Sequence, residues 1–108
     1  YGKDGKPIAS APCSTGRYFG TPLGNFRVIY KREFLISRNF LVYCIKPVYF
    51  KKNYAIHGWP RSRYTHQLVS YYLLGRPASR GCVRTTEEFA TAIWKGSKVY
   101  QTKVRILP

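Results

Sequence analysis

Short aromatic and β-branched runs, broken at close intervals by glycine and proline, leave this chain little to fold into but strands. Ten tyrosines and six phenylalanines among 108 residues supply the runs. Gly2 to Pro7 reads as a turn, and Ile8 to Cys13 as the short strand that leaves it. Asn25 to Arg32 alternates, with Phe26, Val28 and Tyr30 on one face, as a half-buried strand does. Phe40 to Phe50 is strongly β-prone, but Pro47 inside it demands a sheet edge, a bulge or a break into two strands. Tyr54 to Trp59 reads as a buried strand carrying His57-Gly58, and Val99 to Leu107 as a final strand. One helix signal stands apart. Thr85 lies three residues before Glu88, the spacing of a capping box, and Glu87-Glu88 suit a positive helix N-terminus. Phe89, Ala92 and Ile93 recur on one face, and Gly96 stops the helix. The pattern predicts a mainly β sandwich or barrel with one short helix after Cys82.

The length predicts a single domain spanning residues 1–108. No run of 18 apolar residues is present, so no membrane span is expected, and no signal peptide is visible. The chain begins at Tyr1, in what reads as the end of a strand. An excised or processed domain is therefore expected, its targeting segment lying elsewhere.

Charge narrows the chemistry. Nineteen Lys and Arg face four Asp and Glu, a net charge of +15. Such a field concentrates anions and speeds their encounter, without choosing among nucleic acid, wall polymers, anionic peptides and membrane surfaces. The only carboxylates are Asp4, Glu33, Glu87 and Glu88, too few for a two-carboxylate glycosidase or an aspartic protease. No Cys-x-x-Cys or His-Glu-x-x-His spacing and no phosphate-binding glycine loop occurs, so neither metal nor cofactor is expected. Of the three cysteines, Cys13 and Cys44 read either as a disulfide pair or as small reduced hydrophobes.

Cys82 sits in Ser79-Arg80-Gly81-Cys82-Val83-Arg84, just before the expected helix. Helix-start amides and the flanking cations Arg80 and Arg84 would lower its pKa. Gly81 lets backbone amides approach a ligand. His57, on a strand end, is the better general base, because His66 lies in a polar loop. With no carboxylate near in sequence, His57 would be oriented by a backbone carbonyl or a neutral side chain. From these residues alone, Cys82 reads equally as a nucleophile paired with His57 or as a structural thiol. Pro60 to Pro77 is the longest irregular stretch, with a short helix expected within Thr65 to Leu74. Trp59, Tyr71 and Tyr72 are its substrate-groove candidates.

Four blocks, in order, resemble the L,D-transpeptidase catalytic domain, the YkuD-type family. They are Cys13-Ser14-Thr15-Gly16, Thr21-Pro22-Leu23-Gly24-Asn25-Phe26-Arg27-Val28, Ile56-His57-Gly58, and Pro77-Ala78-Ser79-Arg80-Gly81-Cys82-Val83-Arg84. The resemblance covers most of the chain and implies a further strand before Tyr1. It implies that Cys82 is the nucleophile, activated by His57, and that Ser79, Gly81, Arg84 and Gly58 line the site. The family histidine before Gly-Cys is Arg80 here, which removes a second imidazole but keeps His57. Arg80 reads as a cation that lines the site, stabilising the thiolate or binding a substrate carboxylate, or equally as a solvent-facing side chain. The 25 positions between His57 and Cys82 exceed the commoner family spacing, and the extra loop is a candidate lid.

The resemblance further implies an extracytoplasmic monomer acting without cofactor on peptidoglycan stem peptides, amid anionic wall polymers. Crosslinking by transpeptidation is the leading expectation, and hydrolysis alone, as an L,D-carboxypeptidase, is the nearest rival. A non-catalytic basic β domain binding wall or nucleic acid, with Tyr18, Tyr71 and Tyr72 stacking on bases, is the rival from another class. Nucleic acid is not the expected partner.

Overall fold

A computed structural model describes residues 9–16, 20–37, 40–76 and 81–107. The turn expected at Gly2 to Pro7 and the start of the strand expected from Ile8 lie outside them.

The central sheet carries the site. Its five strands run in the order β1 (Cys13–Ser14), β9 (Val83–Thr85), β7 (Tyr54–Gly58), β6 (Val48–Lys51), β3 (Tyr30–Lys31). Every neighbouring pair is antiparallel except β7 and β9, which are parallel. Two smaller sheets flank it. One pairs β2 (Gly24–Arg27) with β10 (Lys103–Ile106); the other orders β4 (Phe34–Ile36), β5 (Val42–Ile45) and β8 (Arg61–Ser62).

Proline and local backbone explain where the runs divide. Phe40 to Phe50 becomes two strands, because Lys46 takes a positive φ of 52° and Pro47 cannot donate to a ladder. β5 joins the small sheet while β6, with Val48, Tyr49 and Phe50 all buried, enters the central one. The single strand expected at Asn25 to Arg32 likewise splits into β2 and β3. Val28, at the break, is 1% exposed and donates its N–H to Thr102 O at 2.9 Å. Within the central sheet Tyr30 stacks on its cross-strand partner Tyr49, centroids 4.2 Å apart, and Phe26 of β2 meets Phe50 of β6 at 5.3 Å, joining two sheets.

The helix forms as α1 (Glu87–Gly96), one residue off the expected capping. Thr86, not Thr85, is the N-cap, its Oγ1 accepting from Phe89 N–H at 3.2 Å. Thr85 is instead the buried end of β9, its hydroxyl donating to Pro12 O at 2.8 Å. The helix buries Ala90 rather than the expected Ala92. Arg61 grips Glu87 with two guanidinium nitrogens, tying β8 to the first turn of α1.

The stretch after Trp59 is fastened at several points. Arg61 bridges to Leu68, Trp59 Nε1 donates to Val69 O at 2.6 Å, and Ser14 Oγ donates to Leu73 O and accepts from Gly75 N–H. The helix expected within Thr65 to Leu74 is a single 3-10 turn at Tyr71–Leu73.

Replacing the cap should be felt directly. Thr86→Ala is expected to destabilise the protein by about 1 kcal/mol in denaturant unfolding, with Thr86→Ser close to wild type. An unchanged midpoint for Thr86→Ala would contradict this assignment of the helix start.

Candidate active site

Parallel pairing of β7 with β9 places Ile56 beside Val83 and His57 beside Arg84. Alternate residues of a strand share a face, so Cys82, two residues before Arg84, comes back to the side of the sheet that His57 occupies. His57, Gly81, Cys82 and Arg84 line one cleft of about 380 Å³. The β4–β5 hairpin supplies Leu35, Ser37, Val42 and Cys44, and Asn53, Tyr54 and Pro60 complete the lining.

His57 is 3% exposed, and its Nδ1 lies 2.7 Å from the Gly58 carbonyl. A carbonyl only accepts, so Nδ1 carries the proton and Nε2 is left with its lone pair. Burial pushes the His57 pKa down to about 4, helped by the Arg84 charge and opposed by the Gly58 bond. The imidazole is therefore neutral at pH 7, a base in its reactive tautomer, oriented by the Gly58 carbonyl.

Cys82 departs from the low-pKa thiol expected. Three residues of β9 and the cap separate it from α1, and a helix dipole fades within a turn. Burial dominates and raises its pKa; a backbone hydrogen bond from Ala55 and the Arg84 charge pull the other way. Its Sγ donates to Asn53 O at 3.7 Å. Asn53, at φ 68° in the β6–β7 turn, takes the left-handed conformation that asparagine tolerates best. At rest the site holds a thiol and a neutral imidazole. Burial disfavours the charged form of each group.

The other two cysteines are placed differently. Cys44 lines the same cleft, but burial raises its pKa to about 12. Cys13 is exposed on β1, and both are free thiols, so the disulfide alternative is not formed.

The structure gathers four of the anticipated site residues around the cleft: His57, Gly81, Cys82 and Arg84. Gly58 is buried and contributes the carbonyl that orients His57. The groove candidates do not line the cleft. Trp59 is a core residue at 0% exposure, with the Arg84 guanidinium 5.5 Å above its ring. Tyr71 packs edge-on against Trp59, and Tyr72 is 81% exposed. Ser79 and Arg80 lie outside the described residues, as does Tyr18. His66 lies apart, on the Tyr43 hydroxyl in a shallow surface pocket. Leu35, Ser37, Val42 and Cys44 carried no site signal, because a hairpin distant in sequence brings them in, and Asn53 and Tyr54 enter from the β6–β7 turn and the start of β7. The Lys52-Asn53 turn, punctuated by asparagine between two β-prone runs, was the one available hint.

The sequence matches the L,D-transpeptidase catalytic domain family, YkuD, over residues 1–106, and the chain belongs to that family. No curated protein matches it. Among solved structures it is similar to an L,D-transpeptidase from Xylanimonas cellulosilytica, 26% identical with a TM-score of 0.70, over 96% of this chain and 52% of that one. An L,D-transpeptidase from Mycobacterium smegmatis has a TM-score of 0.75 at 17% identity, over 97% of this chain and 51% of that one. The LD transpeptidase LdtMt1, solved in complex with imipenem, has a TM-score of 0.76 at 17% identity, over 96% and 51%. The chain thus spans about half the length of these proteins, and the last two likenesses speak for the fold alone.

Burial of His57 couples to stability. Its pKa is about 4 folded, against an ordinary 6.5, so between those pH values the unfolded chain holds the extra proton. Stability therefore rises with pH from about 4 to 6.5, and the His57 contribution is lost on acidification through that window. The loss is on the order of a few kcal/mol. Denaturant unfolding across pH 4–7 should show this slope in wild type and a shallower one in His57→Asn. Equal slopes would contradict a buried neutral His57.

Proposed function

We propose that the chain is the catalytic domain of a cysteine L,D-transpeptidase acting on peptidoglycan stem peptides outside the cytoplasm. The observation that carries this reading is the shared cleft, lined by both Cys82 and a neutral His57 whose Nδ1 is committed to Gly58 O. Family membership supplies the substrate class.

In the proposed reaction His57 Nε2 takes the Cys82 proton as Sγ attacks the carbonyl of the L-centre of a tetrapeptide stem, at its bond to the terminal D-alanine. Proton transfer accompanies attack, because the resting pair is neutral. Arg84 favours the developing negative charge, and the Gly81 and Cys82 amides face the oxyanion. The tetrahedral intermediate collapses, and D-alanine leaves with the proton from His57. The enzyme is left as a Cys82 thioester. An amine from a second stem then attacks, His57 removing its proton, and Cys82 leaves as the thiol. The product is a crosslink. Water in place of the amine gives carboxypeptidase action.

Stem peptides and wall polymers carry carboxylates and phosphates, so the net charge of +15 favours their encounter at low ionic strength. Ser79 remains a candidate for the site lining on the family motif, and Arg80 on its charge two residues from Cys82.

A carbapenem acylates by the same attack on a strained carbonyl. Intact-protein mass spectrometry should show one adduct on wild type and none on Cys82→Ala. His57→Asn should slow adduct formation roughly 10²- to 10⁴-fold, the usual worth of a general base. An undiminished adduct on Cys82→Ala would overturn the assignment. Digested wall material treated with the enzyme should yield new crosslinked dimers; trimmed monomers alone would make it a carboxypeptidase.

A further inference from the structure

Thr21 opens the Thr-Pro-x-Gly-x-Phe block, yet it does not line the cleft and has no part in the reaction above. Its side chain is nonetheless fully engaged. The residue is 5% exposed, and its hydroxyl makes two hydrogen bonds of 2.7 Å. One is accepted from Gly16 N–H; the other is donated to Gly81 O. A hydroxyl has one proton, and Gly16 supplies its own, so the Thr21 proton is committed to Gly81.

Three backbone segments meet at this hydroxyl with no room between them. A side chain on Gly16 would come within 2.9 Å of both Gly20 C and Gly81 Cα, and within 2.8 Å of Thr21 N. One on Gly81 would overlap the Tyr54 ring and reach 3.0 Å from Gly20 O. Sterics thus fix where Gly81 sits, and the Thr21 bond fixes which way its carbonyl turns. That carbonyl belongs to the peptide joining Gly81 to Cys82. The peptide is trans, so its N–H points opposite to its C=O. Holding the carbonyl on Thr21 therefore turns the Cys82 N–H the opposite way, across the C–N bond and within the same plane.

We propose that Thr21 is a positioning residue for acyl transfer: through Gly81 O it sets the plane of the Gly81–Cys82 peptide, and with it the aim of the Cys82 N–H at the oxyanion. This rests on the reading of Cys82 as the acylated nucleophile. An isolated neutral hydrogen bond contributes about 1 kcal/mol to stability. A misaligned oxyanion donor costs more than that in rate, because the donor's value lies in its preorganisation.

The test separates two reactions of the same sulfur. Acylation by imipenem passes through a tetrahedral oxyanion. Alkylation by iodoacetamide is a displacement at a saturated carbon and needs none. Both rates are measured by mass spectrometry on wild type, Thr21→Val, Thr21→Ser and Cys82→Ala, beside thermal melts. Thr21→Val removes both bonds at nearly constant volume. Its acylation should fall roughly 10- to 100-fold, below the 10²- to 10³-fold loss of a deleted donor, while alkylation of Cys82 holds at the wild-type rate. Thr21→Ser should restore acylation. If Thr21→Val does not fold, Thr21→Cys, with a weak donor in place of the hydroxyl, carries the comparison with Thr21→Ser. Acylation of the hydroxyl-less variant at the wild-type rate overturns the proposal and leaves the nucleophile assignment standing. So does a parallel fall in both rates, which marks a structural role. A wild type that imipenem does not acylate at Cys82 overturns both.

Discussion

Everything at this site depends on the one parallel pairing in the molecule's central sheet. β7 and β9 run side by side in a register that sets His57 against Arg84 and brings Cys82 to the same cleft. Parallel neighbours cannot be joined by a tight turn; they need a long crossover. Residues 59–82 are that crossover, pinned by Arg61, Ser14 and Trp59 along its way. A slip of one residue would send Cys82 and Arg84 to the opposite face and leave His57 alone. Register is therefore a condition of the chemistry as well as of the fold.

Burial then decides the protonation states. The same desolvation that depresses the His57 pKa raises that of Cys82. Neither group is charged at rest, and the permanent cation Arg84, held over Trp59, is the nearby charge that favours a thiolate. This differs from a site that stores a thiolate beside a helix end. The reactive charge in the proposed reaction exists only while sulfur is attacking, where Arg84 and oriented amides can act on it. A carboxylate behind His57 is unnecessary, because the Gly58 carbonyl already selects the tautomer.

Much of this was legible in the chain. The aromatic runs and their Gly and Pro breaks led to a mainly β fold, and Pro47 marked a true division between sheets. The dearth of acidic residues led to a histidine oriented by a backbone carbonyl or a neutral side chain, and it is the Gly58 carbonyl that His57 Nδ1 meets. What was illegible was tertiary. Alternation in Asn25 to Arg32 looked like one strand, because the local pattern carries no sign that its halves pair with different partners. Thr85 and Thr86 both suit a cap, and only the pull of Pro12 on the Thr85 hydroxyl separates them. The thiol pKa was misjudged because proximity in sequence to a helix is not proximity along its axis. Trp59 looked like a groove aromatic because a core tryptophan and a ligand-stacking one are alike in sequence.

The proposed reaction needs a neutral His57, protonated on Nδ1, whose Nε2 lone pair can take the Cys82 proton. Nitrogen-15 NMR of the histidine rings reads this directly, with His66 removed by His66→Gln to leave one imidazole. The neutral Nδ1–H tautomer is expected at pH 7, persisting well below the ordinary histidine pKa toward about 4. An imidazolium at pH 7, or a neutral ring protonated on Nε2, would contradict it.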